Sequence, residues 1–272
     1  MRIVHRVSLH ATPEVVAELA AAGIAAGTGL QTFEIAERDP RWPRVAELVE
    51  RHEAVDLVRT DFTARECEQA PALQLIPTWH HGYPMPDEDE GYLSATFDLA
   101  EYCASCGIGL RQKAPFRMIR EPRWGVRSIL QLNWVFDAFF VTPSLWRAAF
   151  EPAGIGARPV LDERGTRELS TVVQLDIPSI APVSGLPSQG SPCVACGRRK
   201  HLPWVRGPFP PVDLGGGHAV KTDAWFGSGV SAWRAIVISG DLYRRLRALR
   251  VRGVGFVPVA ADVRSFVRRV RA

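Results

Sequence analysis

Apolar residues alternate with polar ones through residues 2–9, 30–36 and 55–62, which predicts three short strands. Thr12-Pro13 places a capping hydroxyl before a proline suited to the first helical position, opening a helix to about Ala22, before Gly23. Asp39-Pro40 opens a second helix, with Trp42, Val45, Leu48 and Val49 on one face. Thr63-Ala-Arg-Glu66 has the form of a capping box for a short third helix, and Leu73 to Ile76 reads as extended. Residues 1–100 are therefore expected to form an N-terminal αβ segment, a sandwich of modest size.

Three stretches break the periodicity. Residues 77–91, 178–192 and 203–217 are rich in Pro, Gly, Ser or acidic residues and read as surface loops. Beyond residue 100 a pattern recurs. Phe139-Phe-Val-Thr-Pro-Ser-Leu-Trp leads into a helix to Phe150, then Gly154, then Arg158-Pro-Val. Ile236-Val-Ile-Ser-Gly-Asp-Leu-Tyr leads into a helix to about Leu249, then Gly253, then Val257-Pro-Val. Each copy is an apolar strand, a Ser/Thr cap, an amphipathic helix, a Gly stop and a second strand. Residues 101–272 are expected to contain two such strand–helix–strand units, which makes the fold class α+β.

A short motif heads each unit: Cys103-Ala-Ser-Cys106-Gly107 and Cys193-Val-Ala-Cys196-Gly197. Two residues between thiols let both sulfurs converge on one ion, and the glycine lets the turn close with a positive φ. Two CxxCG knuckles make a Cys₄ set, the usual closed shell of a structural Zn²⁺, expected at one per chain. A pseudo-two-fold relation between the units would bring the two pairs together. Such a shell carries net charge −2, and Arg111, Lys113, Arg198, Arg199, Lys200 and His201 follow the knuckles as expected supporting donors. The fifth cysteine, Cys67, reads as a small buried residue.

With 272 residues, 46% hydrophobic and 23% charged, the composition is that of a globular protein with a sizeable core. No run approaches 18 apolar residues, so no membrane span is expected. The first residues read as a strand rather than a secretory leader, so a reducing cytoplasm is expected, where paired CxxC motifs favour metal over disulfide. The weight of Arg and Ala suggests a bacterial genome rich in GC.

The order of the knuckles and the C-terminal strand–helix–strand resembles the double-CxxCG proteins, a paralogous set best known from myxobacteria and related to bacterial toxin-immunity proteins. The resemblance spans about Cys103 to Val259. It implies that Cys103, Cys106, Cys193 and Cys196 bind zinc, and that the chain is a non-enzymatic immunity-type protein whose partner is a toxin. About a hundred residues precede the first knuckle here, a departure from that pattern.

Two other function classes stay open. From Asp241 to the C-terminus nine arginines, Arg244 and Arg245 among them, face two aspartates. That charge would suit nucleic acid as partner, or would form a solvated helix face. An enzyme would draw on His80 and His81 with Asp87, Glu88, Asp89 and Glu90, beside Trp79, Tyr83 and Tyr92. Adjacent acidic residues favour solvent, so an exposed loop is expected, equally able to contact a partner. Gly215-Gly-Gly217 lacks the phosphate-loop pattern and Ser228 lacks a nucleophile elbow, so no catalytic residue is assigned.

Overall fold

A computed structural model describes residues 1–186 and 192–262. The chain divides into two compact units, the first formed by Met1–Glu66 with Val205–Pro208, the second by most of the remainder.

In the first unit β1 (Arg2–Ala11), β2 (Gly29–Ala36) and β3 (Val55–Asp61) form an antiparallel sheet of order β2-β1-β3. Helices α1 (Pro13–Ala21) and α2 (Trp42–Arg51) bury Val15, Leu19, Val45 and Leu48 together with Val7, Leu9 and Ala11 of β1. Alternation along β1 sends these last three to one face, the strand period of two made visible. Thr12 caps α1 as its sequence predicts, its side-chain oxygen accepting from Val15 N. Asp39 accepts from Arg41 N at 3.0 Å, so the turn closes there and α2 begins at Trp42.

One polar group sits inside this layer. His5 is 3% exposed, stacks on Trp42 with ring centroids 3.6 Å apart, and places Nδ1 2.8 Å from the Asp56 carboxylate. Replacing His5 with Ala removes the stacking area and leaves a half-buried carboxylate without its donor. We expect a loss of about 2 kcal/mol in urea unfolding. A loss under about 0.5 kcal/mol would show that the pair is energetically idle.

The chain then passes through α3 (Ala64–Gln69), where Thr63 N donates to Glu66 Oε2 at 2.8 Å and Glu66 N donates to Thr63 Oγ1 at 3.2 Å. That is the reciprocal capping box.

The second unit begins with β4 (Ala72–Pro77) and continues through α4 (Tyr92–Thr96) and the short strands β5 (Phe97–Asp98), β6 (Arg111–Gln112), β7 (Arg117–Met118), β8 (Ile129–Leu130) and β9 (Phe140–Val141). Helix α5 (Pro143–Leu145) runs on into a π turn over Trp146–Phe150 and a 3₁₀ turn over Glu151–Ala153. After Gly154, which is left-handed at φ 71°, come β10 (Gly156–Asp162), β11 (Glu168–Asp176) and β12 (Ile180–Ala181). The last elements among the described residues are β13 (Ala219–Phe226), β14 (Trp233–Ser239), α6 (Gly240–Ala248) and β15 (Val254–Pro258).

These strands build two five-stranded sheets, β8-β9-β11-β10-β7 and β12-β13-β14-β4-β15, and a two-stranded sheet, β5-β6. Both predicted strand–helix–strand units are present, β9-α5-β10 and β14-α6-β15. Their caps agree: Thr142 Oγ1 accepts from Leu145 N and Ser239 Oγ from Leu242 N, each at 3.2 Å. The pairing agrees too. In each sheet the two parallel strands of the unit flank a third strand antiparallel to both, β11 in one and β4 in the other. An antiparallel strand, β8 or β13, precedes the unit in each. The central strand differs in origin: β11 follows its unit as a hairpin, whereas β4 arrives from far upstream.

The helical segments of the two units meet, with Arg245 Nη1 donating to the Ala149 carbonyl at 3.3 Å. Apolar clusters fill each sheet's face, one around Phe116, Phe140 and Val172, the other around Phe209, Phe226 and Val237. Each such fully buried side chain contributes on the order of 2 kcal/mol. The molecule is α+β, as its pattern predicts. No helix among the described residues is long and apolar enough to cross a membrane.

Candidate metal centre

Both CxxCG segments fold into the same turn. Gly107 N donates to the Cys103 carbonyl at 2.7 Å, and Gly197 N to the Cys193 carbonyl at 2.8 Å. Cys103 N donates to Ile108 O and Cys193 N to Arg198 O, both at 2.9 Å, closing each loop on its own next residues. Gly107 and Gly197 have φ of 80° and 69°, the left-handed region that glycine enters without steric cost.

The two turns face each other. Cys103 Sγ lies 3.9 Å from Cys193 Sγ and Cys106 Sγ 3.7 Å from Cys196 Sγ. All four sulfurs lie within 4.8 Å of one another. A tetrahedron with metal–sulfur bonds of about 2.3 Å has edges of about 3.8 Å, so the set matches the shell of a single thiolate-bound ion. Among the described residues it is the one group of three or more Cys, His, Asp or Glu side chains that could hold a metal. Cys103 and Cys106 are buried, Cys193 and Cys196 half-buried, and Ile108, Trp225 and Ala232 pack around them.

Cations bind the two knuckles to each other. Arg198 Nη2 donates to the Glu101 carbonyl at 2.7 Å and to that of Ile108 at 3.3 Å. Lys200 Nζ donates to the carbonyls of Cys106, Gly229 and Ser231 at 2.7, 2.6 and 3.0 Å, filling all three of its donor positions. Both residues follow the second knuckle yet hold the backbone of the first. The Arg198 guanidinium beside Cys196 brings that thiol down to about 6, whereas burial pushes Cys106 up to about 12. A bound cation would impose the thiolate on all four sulfurs.

The other candidate residues lie apart from this centre. Asp87 and Glu88 are exposed, in and beside a short 3₁₀ turn over Glu88–Glu90. His81 Nε2 lies 3.3 Å from the Arg120 carbonyl, and its backbone N–H donates to Gln131 O. His80 is exposed, and the burial it does have lowers its imidazole pKa. On α6, Arg244 pairs with Asp241, Arg245 donates to Ala149 O, and Arg247 pairs with Glu68 at 2.6 Å. The arginines from Arg264 onward lie outside the described residues.

Sequence pattern missed a polar cleft lined by Arg111, Arg158, Lys221, Trp225 and Arg234. Its lining comes from six separate strands, and no spacing in the chain announces their convergence.

The chain matches no protein-family model, and neither curated proteins nor solved structures include a match to it.

Proposed function

We propose that the four cysteines hold one structural Zn²⁺ per chain, and that the chain is a non-enzymatic binding protein of immunity type that neutralises a toxin by occupying its surface. The observation behind the metal reading is the convergence of four sulfurs at tetrahedral spacing from knuckles 90 residues apart in sequence. A four-thiolate shell leaves no open coordination position, so the ion would act as a staple joining the two halves of the second unit. Zinc suits such a shell, and iron is the competing ion.

The immunity reading rests on the resemblance of knuckle order and C-terminal strand–helix–strand to the double-CxxCG proteins. It is favoured over a nucleic-acid role because three of the α6 arginines are already engaged within the protein.

Elemental analysis of protein purified without added metal should give about one zinc per chain, the stoichiometry of a four-ligand site. Iron, or a disulfide inside each CxxC with no metal, would overturn the zinc reading. The immunity reading is tested in the native host, by co-expressing the chain with a toxin-like reading frame encoded beside it. Restored growth supports that reading, and growth arrest despite a folded, metal-loaded chain overturns it.

A further inference from the structure

A cleft of about 330 Å³ opens in the second unit, among β6, β10 and β11 on one side and β12, β13 and β14 on the other. Its volume is that of a small-molecule site. Four cations and two carboxylates line it, and two of the cations are neutralised in place. Arg158 Nη2 lies 2.8 Å from Asp176, and Lys221 Nζ lies 3.3 Å from Asp137. Arg111 and Arg234 form no ion pair among the described residues.

Arg234 is the more telling of the two. A bulge in β13 sets Thr222, Asp223 and Ala224 opposite the single residue Ala235 of β14. Bulges free ladder groups and re-aim side chains, and they recur beside functional sites. Here the freed carbonyls of Thr222 and Asp223 accept from Arg234 Nη1 at 2.8 and 3.1 Å. The guanidinium carbon lies 4.5 Å from the centroid of the Trp225 ring. The side chain is thus half-buried and fixed in one orientation; burial works against its charge, which Asp137 and Asp223 nearby only partly offset. A half-buried cation that makes no direct ion pair gains from an incoming anion.

The opposite wall is stiff. Gln112 and Gln174 exchange amide hydrogen bonds of 2.8 and 2.7 Å, and Gln174 is 3% exposed. Leu110, Ile177 and Trp225 add apolar surface for a carbon skeleton.

We propose that this cleft binds a small organic dianion, a dicarboxylate or a phosphate monoester, with Arg111 and Arg234 taking its charged groups. This is independent of which metal the cysteines hold and of any toxin partner.

Titration calorimetry on the full, metal-loaded chain tests it, using phthalate, phenyl phosphate and inorganic phosphate as probes at constant ionic strength. We expect one of the two organic probes to bind one to one in the millimolar range or tighter; their ranking tells carboxylate from phosphate chemistry. Arg234→Met keeps the apolar stem and should weaken binding on the order of tenfold, the worth of one charge-assisted contact. Arg111→Met, at an exposed position, should weaken it several-fold with folding unaffected. It decides the matter if the Arg234 variant misfolds. No binding of either organic probe below about 10 mM, or an Arg111→Met variant that binds like the parent, overturns the proposal.

Discussion

Serine at Cys103 or at Cys193 should unfold the second unit, or reduce its stability so far that no cooperative transition remains at room temperature. A three-thiolate remnant binds metal far more weakly than the full shell. A structural zinc site contributes on the order of 10 kcal/mol to folding, comparable with the whole stability of a typical domain, about 5–15 kcal/mol. The position of the site makes the loss global. Cys103 and Cys106 sit against Ile108, Trp225 and Ala232, where the first knuckle meets the second and the turn between β13 and β14. Without the ion, the four sulfurs would face one another across this contact with no bond between them. Cys67 is the internal control, a buried cysteine outside the cluster. Its replacement by alanine removes a small side chain and should cost about 1 kcal/mol. Urea unfolding followed by circular dichroism, with metal content measured on the same samples, separates the cases. Mild effects at both Cys103 and Cys193 would mean that no shared ion supports the fold.

Much of this architecture can be read in the chain because it is locally encoded. Thr12, Thr63, Thr142 and Ser239 all cap helices where their sequence context says they should. The two CxxCG segments fold alike because the same short motif permits one economical turn. The repeated strand–cap–helix–Gly–strand pattern predicts both units, while the two knuckles come together against the turn between β13 and β14. What the sequence conceals is non-local. Leu73 to Ile76 reads as extended, yet nothing in it specifies that β4 lies between β14 and β15, more than 150 residues downstream. That pairing places β4 in the second compact unit, which begins at Cys67. The β13 bulge is equally hidden: Lys221 to Trp225 carries no glycine, and its irregularity is a matter of register against β14. The cleft that depends on it was therefore illegible. The α6 arginines stand out in the sequence through charge, and the acidic loop through charge, its two histidines and neighbouring aromatic residues; charge marks where water is welcome more often than where a ligand binds.

The equivalent glycines of the two knuckles should respond very differently to the same substitution. Alanine at Gly197 must hold a left-handed φ near 69°, but a Cβ there meets nothing within 4 Å. The cost should be that of the backbone conformation alone, about 1–2 kcal/mol. Alanine at Gly107 carries the same conformational cost at φ 80°, and its Cβ would lie 2.2 Å from Val230 O and 2.7 Å from Ala232 N. These are backbone atoms of the turn between β13 and β14, whose Gly229 and Ser231 carbonyls Lys200 holds in place. They cannot yield as a flexible side chain would, so either the first knuckle or the turn must move. Movement of the knuckle shifts Cys106, one residue away, off its tetrahedral vertex, and the metal would be held more weakly. Gly107→Ala should therefore lose 3 kcal/mol or more, roughly a conformational cost plus an overpacking cost, and release its ion to a chelator well before Gly197→Ala does. The two variants, assayed side by side for unfolding and for metal release, test whether the first knuckle is seated on the β13–β14 turn. Equal behaviour would mean that the close approach at Gly107 does not govern the site.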